Sequence, residues 1–302
     1  MSKKKTIKRP VAANEVFATL RQMYGAGGSL PEIMPTAFDF LNDQLGGWRT
    51  GLHLIGGEPG CGKTSFALFN AAVAARAGHP VLYLSFDVEA RLLVLKLLCQ
   101  QAGLDSRAVL DGTVEQAAFE AALTAHGDDF ERISVLEAEA TLAAEAVEAM
   151  AHERMAASGG KAILVIIDYL QIWAAGARQF SEFRHEIGKL MTAMRRLALR
   201  LDSPVLAISS QNRQRQGEAV LGSLEGTSDL EYSADSVSFL INVERPSSGR
   251  NYAHPDDVAA KSRSVSINLR KNRFGETGSR VVKFLPQTGA FDEETVRRAP
   301  EN

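Results

Sequence analysis

The run Gly57-Glu58-Pro59-Gly60-Cys61-Gly62-Lys63-Thr64 constrains this chain more than any other feature. It follows LHLIG (52–56), an apolar run that predicts a strand, and it opens TSFALFNAAVAARAG (64–78), which predicts a helix ending at Gly78. Strand, glycine-rich loop and helix in that order is the context in which G-x-x-x-x-G-K-[ST] binds phosphate. Glycines let the backbone curl, so that N–H groups from Gly60 to Thr64 converge on phosphate oxygens. The helix N-terminus adds a dipole of the right sign. Lys63 brings a positive charge to the β and γ phosphates of ATP, and the Thr64 hydroxyl can ligate Mg²⁺. Gly57, Pro59, Gly60, Cys61, Gly62, Lys63, Thr64 and Ser65 are therefore the expected nucleotide-binding residues. Two readings stand for Cys61. Its position at a helix N-terminus beside a lysine favours a redox-sensitive thiolate, or it is a small residue that fits the loop.

Strands and helices alternate from about residue 30 onward. VLYLSF (81–86), AILVIID (162–168) and PVLAISS (204–210) read as strands buried on both faces, with helices over 64–78, 90–103, 119–127, 142–158 and 183–201 between or beside them. This pattern predicts an α/β fold, a mainly parallel sheet flanked by helices. The last strands, SVSFLINVER (236–245), SVSINLRKN (264–272) and SRVVKFLP (279–286), are joined by loops, which predicts an antiparallel edge. Composition agrees: 302 residues, 45% hydrophobic, can bury a core without disulfides or metal. A net charge of -2 excludes a basic coat for nucleic acid, so any such contact must be local. Two cysteines, Cys61 and Cys99, exclude a disulfide scaffold and suit a reducing compartment. The basic start MSKKKTIKRP is followed by no apolar run, and no segment reaches the roughly 18 apolar residues of a membrane span. The expectation is a soluble, cytoplasmic protein. The six histidines show no ligand spacing and there is no H-E-x-x-H, which sets aside a metal hydrolase.

Asp168 ends an apolar strand, where a carboxylate beside a phosphate loop holds Mg²⁺. Hydrolysis also needs a group that activates water. Ser85-Phe86-Asp87-Val88-Glu89 follows the second strand, and the carboxyl ends of parallel strands line one ligand crevice. Asp87 and Glu89 are therefore candidates for that group, with capping of the following helix as the other reading of Glu89.

At this point the chain resembles the DnaB-type replicative helicases, within the RecA-like ATPases. The resemblance runs through residues 30–292. It is carried by FDFLNDQLGGW (38–48), GGEPGCGKTSFALFNAA (56–72), VLYLSFDVEARLLVLKLL (81–98), VIIDYLQIW (165–173), the run 185–213, SDLEYSADSVSFL (228–240) and RKNRFGETG (270–278). Asp-Tyr-Leu-Gln (168–171) and Lys-x-Arg-x-Gly-x-x-Gly (271–278) are specific to the group. It implies a RecA-like ATPase with Lys63, Thr64 and Asp168 at phosphate and Mg²⁺. Asp87 falls where the family has a catalytic Glu. Lys271 and Arg273 fall where the family reaches into the neighbouring subunit's ATP site; without the family pattern they read as a solvated basic hairpin.

Three departures stand out. The catalytic Glu is shortened to Asp87. The γ-phosphate-sensing Gln is displaced by one residue to Gln211, which flips it to the other face unless the strand has already ended. Glu225-Gly226 stands where the family has an Arg-Glu pair on DNA. The family's N-terminal helical domain has no counterpart here. Residues 1–29 read as a basic tail plus a short amphipathic helix (14–24), 30–292 as the ATPase domain, and 293–302 as a polar tail. The helix 14–24 latches onto an adjacent subunit or packs on its own domain. The resemblance implies a ring, by the family's habit a hexamer, that moves on single-stranded DNA with help from a loader or replication protein. Arg178, Arg184, Arg213 and Arg215 would track phosphates in its channel. The alternative is a nucleotide-switched assembly or regulatory ATPase that keeps the fold without unwinding.

Overall fold

The computed structural model describes residues 33–174, 180–212, 217–224, 233–243 and 262–293, with Ala13, Phe17 and Arg21 as isolated helical positions. Met1–Ile33 and Met34–Asn302 form separate compact units. The remainder of the predicted 14–24 helix, the tail at 1–12, the 294–302 end, Arg178, Arg213, Arg215 and Glu225-Gly226 lie outside the described residues, as does the side chain of Arg184.

The second unit begins with α1 (Asp39–Leu45), β1 (Gly51–Gly57), α2 (Lys63–Arg76) and β2 (Val81–Ser85). Then come α3 (Ala90–Ala102), α4 (Ser106–Leu110), α5 (Gln116–Phe130), β3 (Ile133–Glu137) and α6 (Ala144–Ala157). The chain continues through β4 (Leu164–Asp168), α7 (Leu170–Ala174), α8 (Phe180–Leu201) and β5 (Pro204–Ser210). It closes with β6 (Ser236–Asn242), β7 (Arg263–Asn272), β8 (Gly278–Leu285) and β9 (Ala290–Asp292). The strands form one sheet in the order β3-β2-β4-β5-β1-β6-β7-β8-β9. From β3 to β6 every pairing is parallel, and from β6 to β9 every pairing is antiparallel. The predicted parallel sheet with an antiparallel edge is the one found.

Period-two alternation divides the side chains of these apolar strands between two cores. Ile55, Val81, Tyr83, Leu164, Ile166, Leu206 and Ile208 pack with α1, α2 and α3 on one face. Leu52, Leu54, Leu82, Leu84, Val165, Ile167, Val205 and Ala207 pack with α6, α7 and α8 on the other. Both faces are dry, which is why the strands read as unbroken apolar runs.

The structure extends the reading in several places. The helix expected to stop at Gly127 runs on to Phe130. A glycine inside a helix costs only about 1 kcal/mol, and beyond it Asp129 pairs with Arg76 while Phe130 packs against the core. The half-exposed edge strand β3, the three-residue β9 and the short helices α1, α4 and α7 carry too little periodicity to be read from sequence.

Candidate nucleotide-binding site

Parallel strands β1, β2, β4 and β5 bring their carboxyl ends to one edge of the sheet. Register pairs Ser85 with Asp168 and Gly57 with Ser210. The phosphate loop leaves β1 there, with Pro59 and Gly60 exposed at its tip. Two glycines make the path possible. A Cβ on Gly57 would lie 2.7 Å from the Leu240 carbonyl oxygen. Gly62, the N-cap of α2, has φ 98°, and a Cβ there would press on the Phe284 and Phe291 rings at 3.2 Å.

The Lys63 ammonium donates to the carbonyls of Gly57 and Glu58, both at 2.8 Å. Thr64 Oγ1 donates to Asp168 Oδ2 at 2.9 Å. The hydroxyl and the carboxylate expected at Mg²⁺ thus lie within hydrogen-bond distance of each other. Sequence reasoning missed Tyr83, whose buried Oη donates to the same Oδ2 at 2.7 Å. Nothing in an apolar strand marks a tyrosine as a carboxylate's partner; only the β2–β4 pairing brings them together. Burial pushes the Asp168 carboxyl above the usual carboxylate value, with Asp87 adding to the shift, while the Tyr83 and Thr64 hydrogen bonds and the Lys63 charge oppose it. Burial, then the adjacent carboxylate, holds the Tyr83 phenol well above its ordinary value, so it remains a donor.

Asp87 is exposed just beyond β2 and close enough to act on Asp168. Glu89 is not part of this group. It stands at the N-cap position of α3 without making a capping bond, and its carboxylate lies 3.8 Å from the Arg91 guanidinium in solvent. Glu137 caps α3 instead, accepting from the Ala90 N–H at 2.8 Å. The capping reading of Glu89 therefore gives way to a surface pair. Of the two readings of Cys61 the structure favours the second: it is fully buried, and desolvation raises its thiol despite the Lys63 charge. It is the small residue that fits, not a reactive thiolate. Ser65 uses its carbonyl to accept from Gln100 Nε2 at 2.9 Å, tying α2 to α3.

β5 ends at Ser210, and Gln211 follows it in an isolated antiparallel bridge with Leu224. Its main-chain N–H donates to the Gly57 carbonyl at 3.3 Å. Its side-chain amide donates to the Glu218 carbonyl and Ser223 Oγ at 2.7 and 3.1 Å, leaving Oε1 buried without a partner. Gln211 thus joins the phosphate loop to the 217–224 segment. Gln171, the last residue of the Asp-Tyr-Leu-Gln run and given no role from sequence, holds Ser209 Oγ and the Ser210 N–H at 2.7 and 3.1 Å.

Lys271 lies level with the middle of β1, and Arg273 near its start. Lys271 pairs with Val237, which pairs with Leu54, whereas Gly57 pairs with Leu240 and through it with Ile267. Arg273 bonds to Asp235, which bonds to Leu52, so five residues of β1 separate it from the phosphate-loop level, roughly 16 Å at about 3.3 Å per residue. An arginine side chain cannot span that distance.

The donor set fits nucleotide and metal. A hydroxyl and a carboxylate, with no cluster of three or more His, Cys, Asp or Glu among the described residues, suit a hard divalent cation that takes its remaining ligands from phosphate and water.

Fold and site together define a P-loop ATPase domain of the RecA-like class. A sequence match to the DnaB-like helicase C terminal domain covers residues 34–293. The chain belongs to that family. It is 23% identical to the replicative DNA helicase DnaB of Geobacillus stearothermophilus over 283 residues, covering 92% of this chain and 60% of that relative. It is 24% identical to the replicative DNA helicase DnaC of Bacillus subtilis (strain 168), again over 92% of this chain and 60% of the relative. The chain therefore spans about 60% of the length of these relatives. Among solved structures it resembles an isolated ATPase domain (TM-score 0.78, 20% identity, 94% of this chain and 99% of that one). It also resembles a DnaB-like replicative helicase described with its interactions with primase (TM-score 0.74, 20% identity, 93% of this chain and 67% of that one). At that identity the likeness concerns the fold. Among the described residues no helix is long and apolar enough to cross a membrane.

Proposed function

We propose that this chain is the ATP-hydrolysing motor of a DnaB-like helicase, acting in the cytoplasm as a ring, a hexamer by the family's habit, on single-stranded DNA. The observation that carries this reading is the separation of Arg273 from the Thr64–Asp168 pair across one sheet. A cation held this far from its own chain's phosphate loop supports the family's placement of it at another chain's.

Lys63, the loop N–H groups from Gly60 to Thr64 and the α2 N-terminus would bind the β and γ phosphates. Thr64 and Asp168 would hold Mg²⁺, which, when bound, neutralises phosphate charge. Asp87 would orient and deprotonate the attacking water, the role of the family's Glu. Gln211 would pass the state of the phosphate loop to the 217–224 segment. Arg273 and Lys271 would enter from the neighbour and stabilise charge on the transferring phosphoryl group. Residues 30–292 form the motor in this reading, with 1–29 and 293–302 flanking it. The relatives' names and the filled hydrolytic positions favour it over a regulatory ATPase without unwinding.

The deciding experiment measures ATPase rate against protein concentration, with and without single-stranded DNA, for wild type and Arg273→Ala. The expected rate rises with both and falls by about 10³-fold in the variant. Slow turnover that ignores concentration, DNA and the substitution would sink the proposal.

A further inference from the structure

Asp235, immediately before β6 and 7% exposed, is held from several sides. Its N–H donates to the Leu52 carbonyl at 2.7 Å, and its own carbonyl accepts from the Arg273 N–H at 2.9 Å. Carboxylate Oδ2 accepts from the Leu52 N–H at 2.9 Å. The other oxygen, Oδ1, accepts from two guanidiniums, Arg195 on α8 and Arg273 on the hairpin, each at 3.3 Å. The hairpin itself is tied down nearby. Asn272 Nδ2 donates to the Gln44 carbonyl at 2.9 Å, and Phe274 lies against the His53 ring and under Arg49.

Two features of this arrangement matter. A carboxylate oxygen shared at 3.3 Å by two cations gives each a longer bond than the roughly 2.7–2.9 Å of a charge-assisted pair. And if Arg273 leaves, Asp235 keeps Arg195 and the Leu52 N–H, so no buried charge is stranded. The main-chain bond fixes where Arg273 starts from, while its 41% exposed side chain stays releasable.

We propose that Asp235 is a positioning residue that docks the Arg273 guanidinium in a preset, releasable orientation from which it engages the neighbouring subunit's ATP. This rests on the reading of Arg273 as a cation acting in trans. Asp235 touches no nucleotide; it acts through Arg273.

The test is Asp235→Asn, which keeps the main-chain bonds and the side chain's size but removes the charge. The expected kcat falls between about 10- and 100-fold, the range for a misplaced reacting group, with KM for ATP unchanged because the variant's own phosphate loop is intact. Mixing supplies the readout that a folding defect would not give. Asp235→Asn chains, with an intact loop, are combined with Lys63→Ala chains, whose Asp235–Arg273 pair is intact, and turnover recovers. Wild-type kcat in Asp235→Asn, or a loss that mixing does not restore, overturns the proposal. Arg273→Ala with wild-type turnover would instead overturn the trans reading beneath it.

Discussion

Asp168 is 5% exposed, and one of its oxygens already serves both Thr64 and Tyr83. Its carboxyl titrates above the ordinary value of 3.8. As pH rises through that value the unfolded chain ionises first, so the ionised group costs stability, fully so once pH exceeds the folded value. Asp168→Asn is expected to raise the thermal midpoint at neutral pH without nucleotide and to abolish the further rise produced by ATP and Mg²⁺. Differential scanning fluorimetry reads both, and a lowered nucleotide-free midpoint contradicts the account. His53 behaves oppositely. It is fully buried between Ser236 Oγ and the Arg49 carbonyl, and desolvation lowers its imidazole below 6.5. The unfolded chain then takes up a proton first, so stability present above about pH 6.5 is lost as pH falls through that value toward the folded one. Urea midpoints for wild type and His53→Asn at about pH 7 and about pH 5 test this; the wild-type drop is the larger.

At the scale of elements, a distant residue secures the first helix. The N-terminus of α1 has no side-chain cap of its own from Phe38. Glu293, just past β9, accepts from the Asp39 and Phe40 N–H groups at 2.7 and 3.0 Å. Glu293→Ala should therefore lower stability by roughly 0.5–2 kcal/mol in urea unfolding, the usual worth of a cap. An unchanged midpoint would mean that the two bonds contribute nothing net. This contact also shows what sequence conceals. The central strands were legible because burial on both faces leaves unbroken apolar runs, and the phosphate loop because its spacing encodes backbone geometry. Tyr83, Asp235 and Glu293 were not, because each acts on a group far away in sequence, and only pairing across the sheet reveals it. Glu89 shows the converse: its place after β2 suggested chemistry, but the chain's path leaves its carboxylate beside Arg91.

At the scale of the whole molecule, the shared-site reading makes a quantitative prediction. Lys63→Ala and Arg273→Ala chains should each be nearly inactive alone. In an equal random mixture, about one site in four pairs an intact phosphate loop with an intact arginine, so about a quarter of wild-type turnover should return. No recovery on mixing would overturn the shared-site reading.

The roughly 16 Å between phosphate loop and arginine has one more consequence. On the shared-site reading each chain would offer a different half of a site at each end of its sheet, so successive contacts would be heterologous and the assembly would have a polarity. Any open string leaves one terminal phosphate loop unserved and one terminal arginine idle, however long it grows. Only closure gives every chain a full complement, which makes the topology of the assembly, rather than its length alone, the quantity that sets specific activity.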